Sequence, residues 1–361
     1  MPHPSPRRPV LTALLALVAL LAGASLVVTP ADAADRAADR AESGLADQTV
    51  DRAVVTRTAT GPRLRVPAAR LDRSLTCSGD PRRSTGRPVL LVPGTTLEPG
   101  VNFSWNYAKV FTEQGRAWCA VRLPAFATGD IQVAAEYVTH AIRTLHRRAG
   151  QKISVIGHSQ GGMVPRWSLK FWPDTRAMVD DLVGLAPSNH GTILAPVVCA
   201  ATCQPAIWQQ APRSAFLTTL NAGGETLDGI SYTQVWSATD EVVVPNVPGV
   251  PGVPPSSRLT TGRGAISNIP VQSVCPVSVA EHLSVGTSDP VGYAAVVDAL
   301  GHRGPAEAAR LDRAVCTQGI FPGIDPVTFP LRAAELGTTA ATSLALQPRT
   351  QAEPRLRAYA R

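Results

Sequence analysis

Short apolar runs alternate with segments of helical periodicity along most of the chain. Ile153, Val155 and Ile156 lie in a β-branched run typical of a strand buried on both faces. Residues 130–149 place apolar side chains on one helical face, and Asp130 is suited to cap the start of that helix. Other strands are predicted at 87–92, 117–123, 181–185, 230–236 and 270–275, and other helices at 103–114, 289–300 and 331–344. The alternation predicts an α/β fold with a mostly parallel sheet and helices on both faces.

The strand that contains Ile153 leads into GHSQG, a G-x-S-x-G pattern centred on Ser159, and then into a helical pattern. A strand, a sharp turn and a helix in this order form a nucleophile elbow. The turn needs glycine on both sides of Ser159, because a Cβ there would collide with the neighbouring strand or helix. Ser159 is therefore the predicted nucleophile, and the N–H of Gln160, at a helix N-terminus, is a predicted oxyanion donor.

A serine hydroxyl needs a base, most often a histidine that a carboxylate holds in one tautomer. In chains with such an elbow the acid follows the serine and the histidine comes last. His282 follows a predicted strand and lies in a loop, and Asp240 lies in the loop after another strand. They are the predicted base and acid. The less suited alternatives are His190 and His302 for the base, and Asp228 and Asp289 for the acid.

A loop of small residues, Pro93-Gly94-Thr95-Thr96, follows the early strand at 87–92. Such a loop can bring a backbone N–H and a hydroxyl to an active site. The alternative is a plain turn between a strand and a helix.

The first 33 residues have the features of a secretory signal peptide. Arg7 and Arg8 precede a long apolar stretch, which ends in the cleavage signal Ala31-Asp32-Ala33. An uncleaved membrane anchor is the alternative, because the apolar stretch is long. Residues 34–70, rich in Ala, Arg and Asp, are predicted to form a solvated helix or a disordered leader, so the ordered domain is predicted to span 71–361.

The charge and the cysteine content disfavour nucleic-acid binding and a metal site. The 361-residue chain has a net charge of +7, but its basic residues are scattered, which disfavours a nucleic-acid partner. The six cysteines of an exported chain favour disulfides, and Cys199 with Cys203 could close a small loop. No Cys/His spacing suits zinc and no loop has an EF-hand pattern, so neither a metal nor an organic cofactor is expected. The long connection at 192–224 is a predicted cap over the site.

The stretches LLVPGT, SQGGMVPRW, WQQAPRSA and YTQVWSATDEVV carry a resemblance. Over about residues 71–361 the chain resembles the family of α/β-hydrolase lipases that includes Candida antarctica lipase B and exported actinobacterial lipases. The resemblance implies the α/β-hydrolase fold and the triad Ser159, Asp240 and His282. It also implies an oxyanion hole formed by Thr95, through its N–H and hydroxyl, and by Gln160. It further implies two disulfides, Cys77–Cys119 and Cys275–Cys316.

The chain also departs from the family pattern. Candida antarctica lipase B has Trp at the position of His158 in this chain. This difference predicts a smaller and more polar wall of the pocket that holds the alcohol part of the ester. Leu97 and Ile193 are the other predicted substrate contacts. Ala352 stands where a cysteine of another family disulfide would be, and Cys199 and Cys203 are additional.

These features together predict a secreted serine carboxylester hydrolase, with triacylglycerol lipase as the favoured activity. The expected partner is a lipid or ester substrate at a lipid–water interface, with no stable protein partner. Within enzymes the alternatives are a short-chain esterase, a polyester hydrolase or an acyltransferase. A catalytically dead hydrolase fold that serves as a binding protein is the remote alternative.

Overall fold

A seven-stranded sheet forms the centre of the computed structural model, which describes residues 60–247 and 254–361. In chain order the strands are β1 Leu75–Cys77, β2 Val89–Val92, β3 Trp118–Val121, β4 Ile153–His158, β5 Val179–Leu185, β6 Ser231–Trp236 and β7 Ala265–Pro270. Their spatial order is β1-β3-β2-β4-β5-β6-β7. Only β1 runs antiparallel to its neighbour, so the predicted mostly parallel sheet is confirmed.

Helices cover both faces of the sheet. They are α1 Ala68–Arg73, α2 Pro99–Phe103, α3 Tyr107–Glu113, α4 Ile131–Ala149, α5 Gln160–Phe171, α6 Ala195–Val198, α7 Pro205–Gln209, α8 Ala215–Asn221, α9 Val271–Val274, α10 His282–Thr287, α11 Pro290–Gly301 and α12 Phe329–Leu346. Asp130 caps α4 as predicted, because its carboxylate accepts the Gln132 N–H.

Side chains of alternate strand residues pack into two separate hydrophobic cores, one on each face of the sheet. Leu90 and Val92 of β2 face one core, which contains Trp167 of α5, while Val89 and Leu91 face the other. This alternation buries β2 on both sides and explains its continuous apolar sequence.

Two predicted elements differ from the structure. The predicted strand at 270–275 is wrong: β7 ends at Pro270, and the following residues form α9. The predicted helix at 103–114 is divided into α2 and α3, because Asn106 has a non-helical backbone and its side chain accepts the Tyr107 N–H.

The described fold begins earlier than the predicted boundary at Leu71. The backbone N–H groups of Arg65 and Val66 both donate to the carboxylate of Glu136 on α4. This carboxylate satisfies two backbone donors, which fixes the segment before α1 on the domain. The predicted signal peptide and residues 34–59 lie outside the described residues.

Three disulfides pair all six cysteines, namely Cys77–Cys119, Cys199–Cys203 and Cys275–Cys316. The first joins directly opposed residues of β1 and β3. The second lies in the 192–224 segment, which contains α6, α7 and α8; its role as a cap stays a prediction. Within 60–247 and 254–361, no helix has the length and apolar character to span a membrane.

Candidate active site

The turn between β4 and α5 is a strained elbow. Ser159 has φ 54° and ψ −125°, a backbone conformation that residues with a Cβ rarely adopt. A Cβ on Gly157 would lie 1.9 Å from the Gly161 carbonyl oxygen, and one on Gly161 would lie 2.1 Å from the Val92 carbonyl oxygen. Both glycines are therefore required by close backbone approach, as the sequence predicts.

Backbone hydrogen bonds hold the elbow in place. The Ser159 N–H donates to the Leu185 carbonyl at 2.8 Å, and the Ser159 carbonyl accepts from the Gly162 N–H at 2.9 Å. The side chain thus lies at the carboxyl edge of the sheet, where the residue remains 6% exposed. Gln160 begins α5, and its N–H has no acceptor inside the helix.

Asp240 and His282 meet at the same edge of the sheet. Asp240 Oδ2 lies 2.9 Å from His282 Nδ1, and the side chains are 0% and 4% exposed. The other carboxylate oxygen, Oδ1, accepts the N–H groups of Val242 and Val243 at 2.9 and 2.8 Å. Because a carboxylate only accepts, His282 carries its proton on Nδ1 and leaves Nε2 for proton exchange.

Charge around His282 favours its protonated form. Burial acts to lower the pKa of His282, but Asp240 and the carboxylates of Glu241 and Glu281 outweigh it and raise that pKa above the ordinary 6.5. Glu241 also accepts the backbone N–H of His282 at 3.1 Å. The imidazolium that a general base forms is therefore stabilised at this position.

The loop after β2 lies directly against the nucleophile. A Cβ on Gly94 would lie 3.2 Å from the Ser159 Cβ, which brings Thr95 beside the elbow. The Thr95 hydroxyl donates to Gln160 Oε1 at 3.0 Å, and Gln210 Nε2 approaches the same hydroxyl at 3.1 Å. The two predicted oxyanion residues are thus neighbours.

The predicted role of His158 as a pocket wall does not fit the structure. His158 is 0% exposed and its ring lies 5.2 Å from that of His282. Its Nδ1 is 3.2 Å from Asn102 Oδ1 and its Nε2 is 3.3 Å from the His282 carbonyl. Burial, together with repulsion from His282, lowers the pKa of His158 to about 3. Uncharged His158 carries one N–H, so only one of these contacts is a hydrogen bond at neutral pH.

The other two predicted substrate contacts differ from each other. Leu97 is 2% exposed, while Ile193 is 56% exposed at the start of the 192–224 segment. Exposed surface at Ile193 suits a substrate contact, whereas the Leu97 side chain is buried.

The alternative acids and bases have other partners. His190 pairs with Glu225, His302 with Asp298, and Asp289 caps α11. No group of three or more His, Cys, Asp or Glu residues in the described ranges is placed to hold a metal ion.

Three residues of the site were missed by the sequence analysis. Asn102 contacts His158, Glu241 binds the His282 backbone, and Gln210 reaches Thr95 from the 192–224 segment. Glu241 follows Asp240 directly, which was the available signal. Asn102 and Gln210 reach the site through tertiary packing, and no local pattern marks them.

The parallel sheet and the strained serine elbow define an α/β hydrolase. Residues 86–257 match the family model described as Lipase (class 2). The chain is 36% identical over 308 residues to Lipase B from Pseudozyma antarctica. The aligned region covers 83% of this chain and 86% of the relative. The crystal structure of Aspergillus fumigatus lipase B superposes with a TM-score of 0.77 at 29% identity, covering 86% of this chain and 76% of that one. The chain belongs to the lipase B family, a family of carboxylic ester hydrolases.

Proposed function

We propose that the protein hydrolyses carboxylic esters through Ser159, His282 and Asp240 and an acyl-enzyme intermediate. The observation that carries the proposal is the buried 2.9 Å contact between His282 Nδ1 and Asp240 Oδ2, at the sheet edge where the elbow presents Ser159. A histidine oriented in this way is the base that a serine nucleophile needs.

In the acylation step Ser159 Oγ attacks the ester carbonyl carbon and His282 Nε2 takes the hydroxyl proton. The negative charge that develops on the carbonyl oxygen is stabilised by the N–H groups of Thr95 and Gln160 and by the Thr95 hydroxyl. When the tetrahedral intermediate collapses, the ester C–O bond breaks and His282 gives its proton to the departing alcohol.

Deacylation repeats these roles with water. His282 Nε2 takes a proton from water, the hydroxide oxygen attacks the acyl carbon, and the same donors hold the oxyanion. The bond to Ser159 Oγ then breaks, the proton returns to that oxygen, and the carboxylic acid leaves.

Triacylglycerol is the proposed substrate class. Both named relatives are lipases, and exposed aliphatic side chains lie beside the site. Ile193, Leu194 and Val197 are 56%, 40% and 72% exposed, and Thr192 binds the Val242 carbonyl in the loop that follows Asp240. This aliphatic rim suits acyl chains or a lipid surface.

The first test is hydrolysis of p-nitrophenyl esters from short to long chains and of emulsified triolein, with and without a serine-directed phosphonate. Phosphonate-sensitive hydrolysis of long chains and triolein is expected. Sensitive activity confined to short chains would indicate an esterase instead, and absence of both activity and labelling would contradict the proposal.

Ser159→Ala tests the nucleophile itself. We expect kcat to fall by at least about 10⁴-fold, because only the oxyanion hole and substrate binding remain. The unfolding free energy should change little, since the substitution removes one oxygen atom and leaves the backbone hydrogen bonds of Ser159 to Leu185 and Gly162 in place. Retained turnover would reject the assignment of Ser159.

We propose export as well, with residues 1–33 as the signal peptide, 34–59 as a leader and the 192–224 segment as a cap. Three disulfides support an oxidising compartment. N-terminal sequencing of protein from the culture medium tests the cleavage site: a start at Ala34 is expected, and an intact residue 1 would contradict it.

A further inference from the structure

The side-chain amide of Gln210 has a fixed orientation. Gln210 lies just after α7 and is 7% exposed. Its nitrogen is 3.1 Å from the Ala206 carbonyl oxygen, which can only accept a hydrogen bond. Its oxygen accepts from Ser188 Oγ at 2.8 Å. The amide nitrogen therefore faces Thr95 Oγ1 at 3.1 Å and Gln160 Oε1 at 3.2 Å.

The orientation of Gln210 determines that of Gln160. Because a donor faces it, the Gln160 side chain presents its oxygen, and this oxygen also accepts the Thr95 hydroxyl at 3.0 Å. This orientation leaves the amide nitrogen of Gln160 unpaired: Nε2 is buried and has no hydrogen-bond partner among the described residues. An unpaired buried donor is unfavourable, so this arrangement lowers the stability of the folded protein at the predicted oxyanion hole.

At rest the Thr95 hydroxyl donates to Gln160 and not toward an ester. To bind an oxyanion the O–H bond must rotate, which withdraws a donor from buried Gln160 Oε1. One amide hydrogen of Gln210 points toward both Gln160 Oε1 and Thr95 Oγ1. The other is donated to the Ala206 carbonyl. Gln160 thus keeps a donor after the rotation.

We propose that Gln210 is a positioning residue for catalysis: its amide nitrogen replaces the Thr95 hydroxyl as the donor to Gln160, so that this hydroxyl can turn onto the oxyanion. The inference rests on the proposed ester hydrolysis. It assigns Gln210 no contact with substrate, and its effect must pass through the Thr95 hydroxyl.

A double-mutant cycle with Thr95→Val tests this coupling on a soluble short-chain ester. Thr95→Val should lower kcat about 10²-fold, the usual cost of losing one oxyanion donor. Gln210→Leu should lower kcat about tenfold with KM changed less than about twofold, because the hydroxyl acts in the transition state only. In the Thr95→Val background the same change should alter kcat less than about twofold.

Gln210→Glu is the second variant, in case the apolar side chain disturbs folding. It keeps the shape and an oxygen for Ser188, but its carboxylate cannot donate to Thr95 or Gln160. It should lower kcat as Gln210→Leu does. Gln209→Leu is the matched control: Gln209 is buried one residue earlier and binds Ile131 and Asp130 away from the site. It should lower the unfolding free energy and leave kcat unchanged.

Each outcome decides between the hypotheses. Equal losses of kcat from Gln210→Leu in the two backgrounds would overturn the inference, as would full kcat in both Gln210 variants. Retained activity in Ser159→Ala would instead reject the proposed function. Loss of activity in Ser159→Ala and Thr95→Val, combined with normal Gln210 variants, would leave the hydrolase proposal in place and reject only the role of Gln210.

Discussion

Carboxylates from two loops determine the charge at His282. Asp240 binds its ring, Glu241 accepts its backbone N–H, and Glu281 precedes it in the chain. Their field outweighs burial and raises the pKa of His282 above the ordinary 6.5. Since a general base must be neutral to accept a proton, kcat/KM should fall on acidification with a midpoint above pH 6.5.

Glu241→Gln should move this acid limb to lower pH. The substitution removes a negative charge that favours the imidazolium but leaves an amide oxygen to accept the His282 N–H. We expect the midpoint of kcat/KM against pH to move to lower pH, because one of the carboxylates that raise the pKa of His282 is removed. Glu335→Gln, on the exposed surface of α12, is the control, and an unchanged midpoint in Glu241→Gln would contradict the electrostatic argument.

Gly286 shows how closely His158 is packed. A Cβ on Gly286 would lie 2.0 Å from His158 Cδ2, a ring atom that is fully buried. Gly286→Ala should therefore destabilise the fold by about 1–3 kcal/mol, although alanine normally favours a helix over glycine. It should also lower kcat, because α10 begins at His282.

Gly337→Ala provides the matched control in α12, where, apart from the adjacent residues and the local backbone of the helix, no described atom lies within 4 Å of the added Cβ. It should stabilise the protein by about 0.5–1 kcal/mol. Urea unfolding of both variants measures the difference. The packing argument would be wrong if Gly286→Ala were as stable as the wild type.

At the scale of elements, the β-branched sequence misplaced β7, because the predicted strand at 270–275 shares only Pro270 with the observed strand Ala265–Pro270. Val271 and Val274 favour a strand, but tertiary contacts turn this segment into α9. Gln272 accepts the Ala238 N–H and donates to Ser237, which supports the loop that carries Asp240. Cys275 is bonded to Cys316. These long-range constraints have no local signature, so the sequence could not place the boundary.

The disulfides differ in the length of chain they close, and this predicts unequal contributions to stability. Cys77–Cys119 closes a separation of 42 residues, whereas Cys199–Cys203 closes only 4. In the chain-entropy description, loss of the first costs about 4 kcal/mol and loss of the second about 2 kcal/mol. Double alanine variants of each pair, compared by urea unfolding, test the order. Equal costs would show that loop closure is not the main contribution.

For the whole molecule, the mostly parallel sheet explains why the sequence could group the residues of the candidate site. The carboxyl ends of its parallel strands share one edge, so residues that follow β2, β4 and β6 must meet there. Thr95, Ser159 and Asp240 each have this position. Gln210 comes from a segment outside the sheet, and the surroundings of His158 include Asn102 of α2 and Gly286 of α10, which are far apart in the sequence. Neither follows from strand order.

The amino ends of the parallel strands, opposite the candidate site, contain a buried carboxylate, Asp181, whose ionisation makes the unfolding free energy depend on pH. Asp181, at the start of β5, is 2% exposed, and only its Oδ2 has a partner among the described residues, Ser154 Oγ. Burial, with a smaller effect of neighbouring Asp180, raises its pKa from 3.8 to about 7, against the opposing influence of Ser154, Arg87 and Lys152. The folded protein therefore holds this proton more tightly than the unfolded chain does.

Asp181→Asn should remove the resulting loss of stability at high pH. Between pH 3.8 and about 7 the folded state binds more protons at this site, so the unfolding free energy falls as the pH rises through that window. At pH 8 the variant should be more stable than the wild type by on the order of a few kcal/mol, and this advantage should shrink toward pH 4. Urea unfolding at both pH values measures it, with exposed Asp228→Asn as the control. An equal advantage at both pH values would show that packing, and not ionisation of Asp181, sets the difference.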